Sequence, residues 1–214
     1  MESLKQITRD DIEAMDRVPR LKLVNALPGF KSANLVGTVS GDGTENLAIF
    51  SSVIHLGSDP PLLGCIIRPR TVARHTYDNL TATGWYTVNQ VHAEIVEKAH
   101  RTSGNYREEF SEFEICGLTP WYSEACTAPY VREARIRIGL KPVEEHRIET
   151  NGTILLAGSV EEVWLPESIL REDGAADIEA AGTVTISGLE NYHTTERLSR
   201  HGYVRVDEEL RRID

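Results

Sequence analysis

The chain has 214 residues and a hydrophobic fraction of 40%, which predict one domain, residues 1–214, with a sizeable core. Its formal net charge of -10 at pH 7 argues against nucleic acid or an anionic membrane as a general partner, because binding to either requires a positive surface. The N-terminus lacks the apolar core of a signal peptide, and no apolar run approaches the length of a membrane-spanning helix.

The first half of the chain is predicted to form one helix followed by strands. Thr8 and Asp11 fit a capping box, so "TRDDIEAMDRV" predicts a short helix in an N-terminal extension, residues 1–19. "RLKLVNAL" predicts a first strand. "GDGT" between "SANLVGTVS" and "ENLAIFSSV" predicts a hairpin. "PLLGCII" and "WYTVN" predict further strands, and "TVARHTYDNLTA" between them predicts a helix from Thr71 that ends near Gly84.

The second half predicts another helix, an irregular segment and long strands. "AEIVEKAHRTS" has helical spacing, and residues 104–128 form an irregular segment with a short helix. Apolar and charged residues alternate from residue 130 to residue 166, which predicts long strands with one solvent-exposed face. Asn151 and Gly152 predict a type I′ turn between them. Many strands with a few short helices favour a closed β-barrel with peripheral helices.

A basic cluster interrupts this acidic chain. The stretch "RPRTVARH" contains Arg68, Arg70, Arg74 and His75. Because arginine forks and hydroxyl groups together bind phosphate oxygens, this stretch and the preceding Ser51 and Ser52 predict a site for a small anion. Arg68 and Arg70 would share one face of an extended segment, whereas Arg74 would face away or reach a second anion. The alternatives are a solvated helix face paired with acidic residues, and serines that merely end a strand.

The order "SANLVGTVS", "NLAIFSSV", "DPPLLGCIIRP" and "TVN", with the later "GLENYHTTERLSRHGYVR", resembles the flavin reductase-like, FMN-binding split-barrel family. That family includes short flavin reductases and flavoredoxin-like proteins, and the resemblance extends over residues 20–205. It implies a six-stranded antiparallel split barrel of Greek-key type with a few peripheral helices. It also implies a homodimer that binds FMN near the subunit interface.

The resemblance further implies which residues surround the flavin. The isoalloxazine ring and ribityl chain would lie on residues of one strand and its neighbour, namely Asn46, Leu47, Ala48, Phe50, Ser32, Ala33 and Asn34. The phosphate end would meet hydroxyl and basic groups, namely Ser51, Ser52, Arg68, Arg70, Thr71 and His75. Asn89 and Tyr192 complete the implied set. NADH or NADPH would transfer hydride to the flavin, and because no protein acid or base is obligatory, we predict no catalytic residue.

Other functions and sites remain open in the sequence. One alternative is a non-catalytic FMN electron carrier of flavoredoxin type, and another is a barrel binding module without flavin. A partner oxygenase or another electron acceptor would use the reduced flavin. The three cysteines lack a CxxC spacing, which argues against disulfides and zinc and favours a cytoplasmic location. His193 and His201 are loosely spaced without completing ligands, so we predict no metal site.

Overall fold

The computed structural model describes residues 3–107 and 109–213, and it is mainly β-structure with short helices. The helices are α1 (Arg9–Ala14), α2 (Arg17–Ala26), α3 (His75–Thr83), α4 (Val96–Arg101) and α5 (Glu112–Cys116), with 3₁₀ turns at Ala93–Ile95 and Glu167–Ile169. The strands are β1 (Lys31–Ser32), β2 (Asn34–Val39), β3 (Glu45–Phe50), β4 (Val53–Ser58), β5 (Pro61–Ile67), β6 (Tyr86–Gln90), β7 (Pro120–Trp121), β8 (Tyr130–Val131), β9 (Arg137–Ile148), β10 (Thr153–Trp164), β11 (Thr185–Ser187) and β12 (Asn191–His193).

The main sheet has seven strands in the order β3-β2-β6-β9-β10-β5-β4, and every neighbouring pair is antiparallel. The predicted antiparallel arrangement is therefore correct, but the predicted count of six strands is not. The seventh strand is β4, because the predicted strand "ENLAIFSSV" ends at Val53 and no strand was predicted for the rest of β4. The chain leaves β3 after Phe50 and enters β4 at Val53. Because β3 and β4 are the two edges of this sheet, the sheet must curl until its edges meet at Ser51 and Ser52.

The two predicted hairpins are present, with one difference in turn type. The β2–β3 turn closes with a hydrogen bond of 2.9 Å from the Ser40 N–H to the Thr44 carbonyl, and Gly43 supplies a φ of +92°. In the β9–β10 turn the Gly152 N–H donates to the Ile148 carbonyl at 2.8 Å. Gly152 has a φ of +72°, but no non-glycine residue of the described chain has a positive φ. The turn is therefore not of type I′, because that type requires a positive φ at both central residues.

The predicted first strand, "RLKLVNAL", is wrong, because these residues lie in α2 and the following turn. Apolar residues recur every three positions at Val18, Leu21 and Val24, and this spacing fits a helix. The short Leu-Lys-Leu alternation fits a strand equally well, so the local pattern does not decide between the two. Pro19 lies in the first turn of α2, where a missing N–H is tolerated. No residue of α2 is buried, so its apolar side chains lie at the surface of this chain.

The helix predicted to begin at Thr71 begins four residues later, at His75. Thr71 and its two successors are exposed, whereas Thr76, Tyr77 and Leu80 of α3 are buried. Most helical stability in proteins comes from packing a face against the core, so a segment without a buried face gains little by extending the helix. The basic stretch therefore forms an exposed turn that leads into α3.

Two hydrophobic clusters pack against opposite faces of the main sheet. On β2, Leu35 belongs to a cluster that includes Leu47 and Phe113, and the adjacent Val36 belongs to a second cluster that includes Leu80 and Tyr86. Successive residues of a strand point to opposite faces, so β2 is buried on both sides. Within the described ranges, no helix has the length and apolar character needed to cross a bilayer.

Candidate functional site

A cavity of about 970 Å³ lies beside the seam where the two edges of the main sheet meet. It is bounded by the end of β3 with Ser51 and Ser52, by the end of β5, by the start of α3, by the segment after α4 and by the region of β11 and β12. This size lies within the range of roughly 300–1,000 Å³ that is usual for small-molecule sites. The cavity is therefore the primary candidate for ligand binding.

Two arginines on the cavity wall have no acidic partner in the part of the chain that the structure describes. Arg68 and Arg74 line the cavity, and within the described ranges neither forms an ion pair with a carboxylate. The Arg74 Nε donates only to the Pro69 carbonyl, at 3.3 Å. Desolvation, with a smaller contribution from the charge of Arg68, lowers the pKa of Lys31. Uncompensated positive charge on a cavity wall favours an anionic ligand.

The N-terminus of α3 adds backbone donors to the same wall. Arg74, His75, Thr76 and Tyr77 all line the cavity, and the N-cap residue Arg74 makes no side-chain capping bond. The first N–H groups of a helix have no partner within the helix and carry a partial positive charge. A phosphate group near this helix start would accept hydrogen bonds from these groups.

Side chains of β3 and the seam supply uncharged polar groups. Ser51 lines the cavity and makes no side-chain hydrogen bond in the described chain, whereas the Ser52 hydroxyl donates to the Ile66 carbonyl at 3.2 Å. The amide of buried Asn46 donates to the Thr38 and Thr76 hydroxyls at 3.0 and 3.1 Å. Its carbonyl oxygen is thereby left as an acceptor beside the cavity.

The remaining wall contains residues that the sequence did not single out. Glu112, at the start of α5, is buried on the cavity, and desolvation raises the pKa of its carboxyl group. His100 of α4 lies 3.0 Å, by its Nδ1, from the Tyr192 hydroxyl, and both side chains line the cavity. No motif marked Glu112 or His100, because both belong to segments whose position relative to β3 depends on tertiary packing.

The structure brings part of the predicted set to the cavity wall. The predicted residues that line it are Asn46, Ala48, Phe50, Ser51, Ser52, Arg68, His75 and Tyr192. The predicted residues that are not on its wall are Ser32, Ala33, Asn34, Leu47, Arg70, Thr71 and Asn89. Arg74 was predicted to face away or to reach a second anion, and the structure has it on the cavity wall.

Two of the residues away from the wall have evident structural roles. Arg70 donates to Asp78 at 2.7 Å, and its guanidinium carbon lies 4.8 Å from the centre of the Tyr77 ring. Asn89 is fully buried; its side chain donates to the Leu35 carbonyl and accepts from the Val131 N–H. These contacts join β6, β2 and β8, so Asn89 links parts of the scaffold that carries the cavity.

Residues 28–187 match the family described as flavin reductase like domain. A candidate flavin reductase with a split barrel domain from Shewanella frigidimarina NCIMB 400 is 44% identical, with a TM-score of 0.90 over 94% of this chain and 100% of that chain. Nitrilotriacetate monooxygenase component B from Bacillus cereus shares the fold at 22% identity, with a TM-score of 0.81 over 94% of this chain and 100% of that chain. Flavoredoxin of Desulfovibrio vulgaris is 25% identical, with a TM-score of 0.70 over 84% of this chain and 92% of that chain. This chain is therefore a member of the flavin reductase-like, split-barrel family.

Proposed function

We propose that this protein binds FMN in the cavity at the seam and reduces it with hydride from NADH or NADPH. The observation that carries this proposal is the pairing of two arginines, Arg68 and Arg74, with the uncapped start of α3 on one cavity wall. FMN differs from riboflavin by a phosphate group that is close to a dianion at neutral pH. Two guanidinium groups and free backbone N–H groups match that charge and its many acceptor oxygens.

The rest of the cavity suits the uncharged part of the cofactor. Ala48 and Phe50 of β3 offer apolar contacts for a flat ring, and the carbonyl oxygen of Asn46 offers an acceptor for a ring N–H. When bound, the flavin supplies the hydride-accepting chemistry, and the protein supplies binding, orientation and electrostatics. In this proposal Arg68 and Arg74 fix the phosphate, and β3 supports the ring so that one face stays open to the nicotinamide.

We also propose a cytoplasmic homodimer that hands reduced flavin or electrons to an acceptor. Exposed apolar side chains on and after α2, among them Val18, Leu21 and Leu27, supply a surface that a second copy would bury. The name of the Bacillus cereus neighbour, a component of a monooxygenase, suggests an oxygenase as one class of acceptor. Light scattering at micromolar concentration tests the dimer, and a monomer mass would contradict it.

The second candidate function is an electron carrier that keeps FMN bound, and the similarity to flavoredoxin favours it. Both functions require the phosphate contacts, but only the reductase requires a productive encounter with NADH or NADPH. A barrel that binds no flavin would perform neither of these two functions.

Two measurements separate these functions. An absorption spectrum after FMN is added and excess is removed reports whether the protein retains the flavin. Rapid anaerobic mixing with NADH or with NADPH then follows the loss of flavin absorbance. Bleaching within seconds supports the reductase, whereas bound flavin that bleaches with dithionite but with neither nicotinamide supports the carrier. A protein that retains no flavin and does not oxidise NADH or NADPH in the presence of added FMN contradicts both proposals.

A further inference from the structure

Glu112 is a buried carboxyl group on the wall of the proposed flavin site. It is 6% exposed and is the first residue of α5. Its Oε2 accepts a hydrogen bond of 2.9 Å from the backbone N–H of Leu47 on β3. Because β3 is an edge strand of the main sheet, this N–H projects from the sheet edge, and the carboxyl group takes the place of a further strand.

The groups around Glu112 do not neutralise it. Desolvation raises the pKa of Glu112, and it outweighs the hydrogen bond from the Leu47 N–H and the charge of His75 on α3, which both favour the ionised carboxyl. Among the described residues, Glu112 also interacts with Tyr106, from the segment before α5, and with Cys116, on α5 itself. The hydrogen bond with Cys116 raises the pKa of Tyr106, and desolvation raises the pKa of Cys116, so both are neutral near pH 7 and supply no positive charge.

A ligand in this cavity would make the ionised form of Glu112 still less favourable. FMN would displace water from the wall and would bring a phosphate dianion into the same cavity. Each change disfavours a carboxylate and favours a carboxylic acid. Protonation is also compatible with the observed contact, because the carbonyl oxygen of a neutral carboxyl group still accepts the Leu47 N–H.

We propose that the cavity binds FMN together with one proton, which Glu112 takes up from solvent on a carboxylate oxygen. This inference rests on the proposed function and extends it, because it makes flavin affinity depend on pH through one named residue. The proton is gained on binding, so affinity falls as the pH rises. The expected dependence of Kd approaches about tenfold per pH unit in the range where Glu112 is ionised in the free protein and protonated in the complex.

The test is calorimetric titration of the protein with FMN in two buffers of different ionisation enthalpy, from about pH 6 to about pH 9. The difference between the two buffers gives the number of protons taken up. The phosphate of FMN itself has a second pKa near 6, and selective binding of its dianion releases protons. The FMN phosphate therefore releases protons on binding, whereas Glu112 is expected to take one up.

The informative variant is Glu112→Gln, which keeps a carbonyl oxygen for the Leu47 N–H but cannot gain a proton. We expect uptake approaching one proton in the wild type, and in Glu112→Gln a loss of that uptake and a flatter dependence of Kd on pH. Glu109→Gln is the matched control, because Glu109 also lines the cavity but is 54% exposed on its side chain and pairs with Arg107. It should retain the wild-type uptake. His75→Gln tests whether the neighbouring imidazole takes up the proton instead of Glu112.

The outcomes separate this inference from the proposed function. Equal proton uptake by the wild type and Glu112→Gln overturns the inference while FMN binding itself stands. Loss of uptake in His75→Gln, with normal uptake in Glu112→Gln, assigns the proton to His75 and also overturns it. Should Glu112→Gln fail to fold, the wild type alone is decisive, because release of protons, or no exchange, contradicts uptake. Absence of FMN binding at every pH contradicts the proposed function instead.

Discussion

Arg74→Ala tests the assignment of the anion most directly. Arg74 lines the cavity, immediately precedes α3 and uses its Nε only for the Pro69 carbonyl. Its terminal guanidinium nitrogens are free to donate to a ligand, and no carboxylate in the described chain competes for them. Truncation removes these donors but leaves Arg68 and the backbone N–H groups of α3 in place. The expected change is therefore a partial loss of phosphate binding.

The magnitude follows from one lost charge-assisted hydrogen bond. Such a bond contributes on the order of 1.5–3 kcal/mol, which corresponds to a weakening of FMN binding by roughly 10- to 150-fold. We count one bond because Arg68 remains to hold the same phosphate. Riboflavin lacks the phosphate, so Arg74→Ala should change its Kd by less than about threefold, the effect expected from altered long-range charge alone. Fluorescence titration of both flavins at fixed ionic strength measures both values.

Arg70→Ala is the matched control, because it removes the same charge four residues away. Arg70 is committed to Asp78 and lies over the Tyr77 ring, away from the cavity wall. The Arg70–Asp78 ion pair is half exposed, so Arg70→Ala should lower the free energy of unfolding by about 1 kcal/mol or less. It should change FMN affinity by less than about threefold. Equal weakening of FMN and riboflavin by Arg74→Ala would refute the phosphate assignment. A larger effect of Arg70→Ala on FMN would restore the assignment made from the sequence.

Three further predictions concern the scaffold. Gly158→Ala should lower the free energy of unfolding by about 1–3 kcal/mol in urea titrations, because its Cβ would overlap the buried Tyr86 hydroxyl. Asn89→Ala should cost a similar amount, about 1–3 kcal/mol, by leaving backbone partners unpaired, with FMN affinity changed by less than about threefold. Hydrogen bonds from Arg171 lower the pKa of Asp177, so the ionised carboxylate stabilises the folded protein above about pH 4. This stabilisation is lost as the pH falls further, and Asp177→Asn should therefore flatten the dependence of the melting temperature on acid pH.

Each of these has a control and a contradicting result. Gly57→Ala adds a Cβ with only ordinary contact, so a loss as large as that of Gly158→Ala would rule out the overlap as the cause. Asn89 was implied to be a flavin ligand, and an FMN-specific loss of affinity with unchanged stability would support that role. For Asp177, Asp10→Asn removes a carboxylate in the first turn of α1, and an equal flattening by both variants would show a general charge effect.

Local sequence patterns predicted the elements whose signals are carried by neighbouring residues. The capping box at Thr8 forms as expected, with the Thr8 N–H donating to Asp11 at 2.8 Å. The β2–β3 hairpin follows from "GDGT", and β9 and β10 follow from the long alternation of apolar and charged residues. These features depend on turn chemistry and on periodicity, which the chain displays directly.

The errors occur where packing decides between two local options. α2 has no buried residue, so its apolar residues do not show the contrast between a core face and a solvent face that distinguishes a helix from a strand. The start of α3 is set by the burial of Thr76 and Tyr77 rather than by the hydroxyl of Thr71. This displacement also changed the site, because it put Arg74 on the cavity wall while Arg70 pairs with Asp78. The resemblance implied Arg68 and Arg70 at the phosphate, whereas the structure has Arg68 and Arg74 on the cavity wall.

The topology explains why the cavity lies at the seam. A closed antiparallel barrel would pair every strand, but here β3 and β4 remain edge strands joined through Ser51 and Ser52. Edge strands expose backbone groups that require other partners. Glu112 satisfies the Leu47 N–H, and the Ser52 hydroxyl satisfies the Ile66 carbonyl at the end of β5. A ligand at this seam would meet polar groups that the fold needs in any case, so the incomplete closure of the sheet accounts for the polar groups beside the cavity.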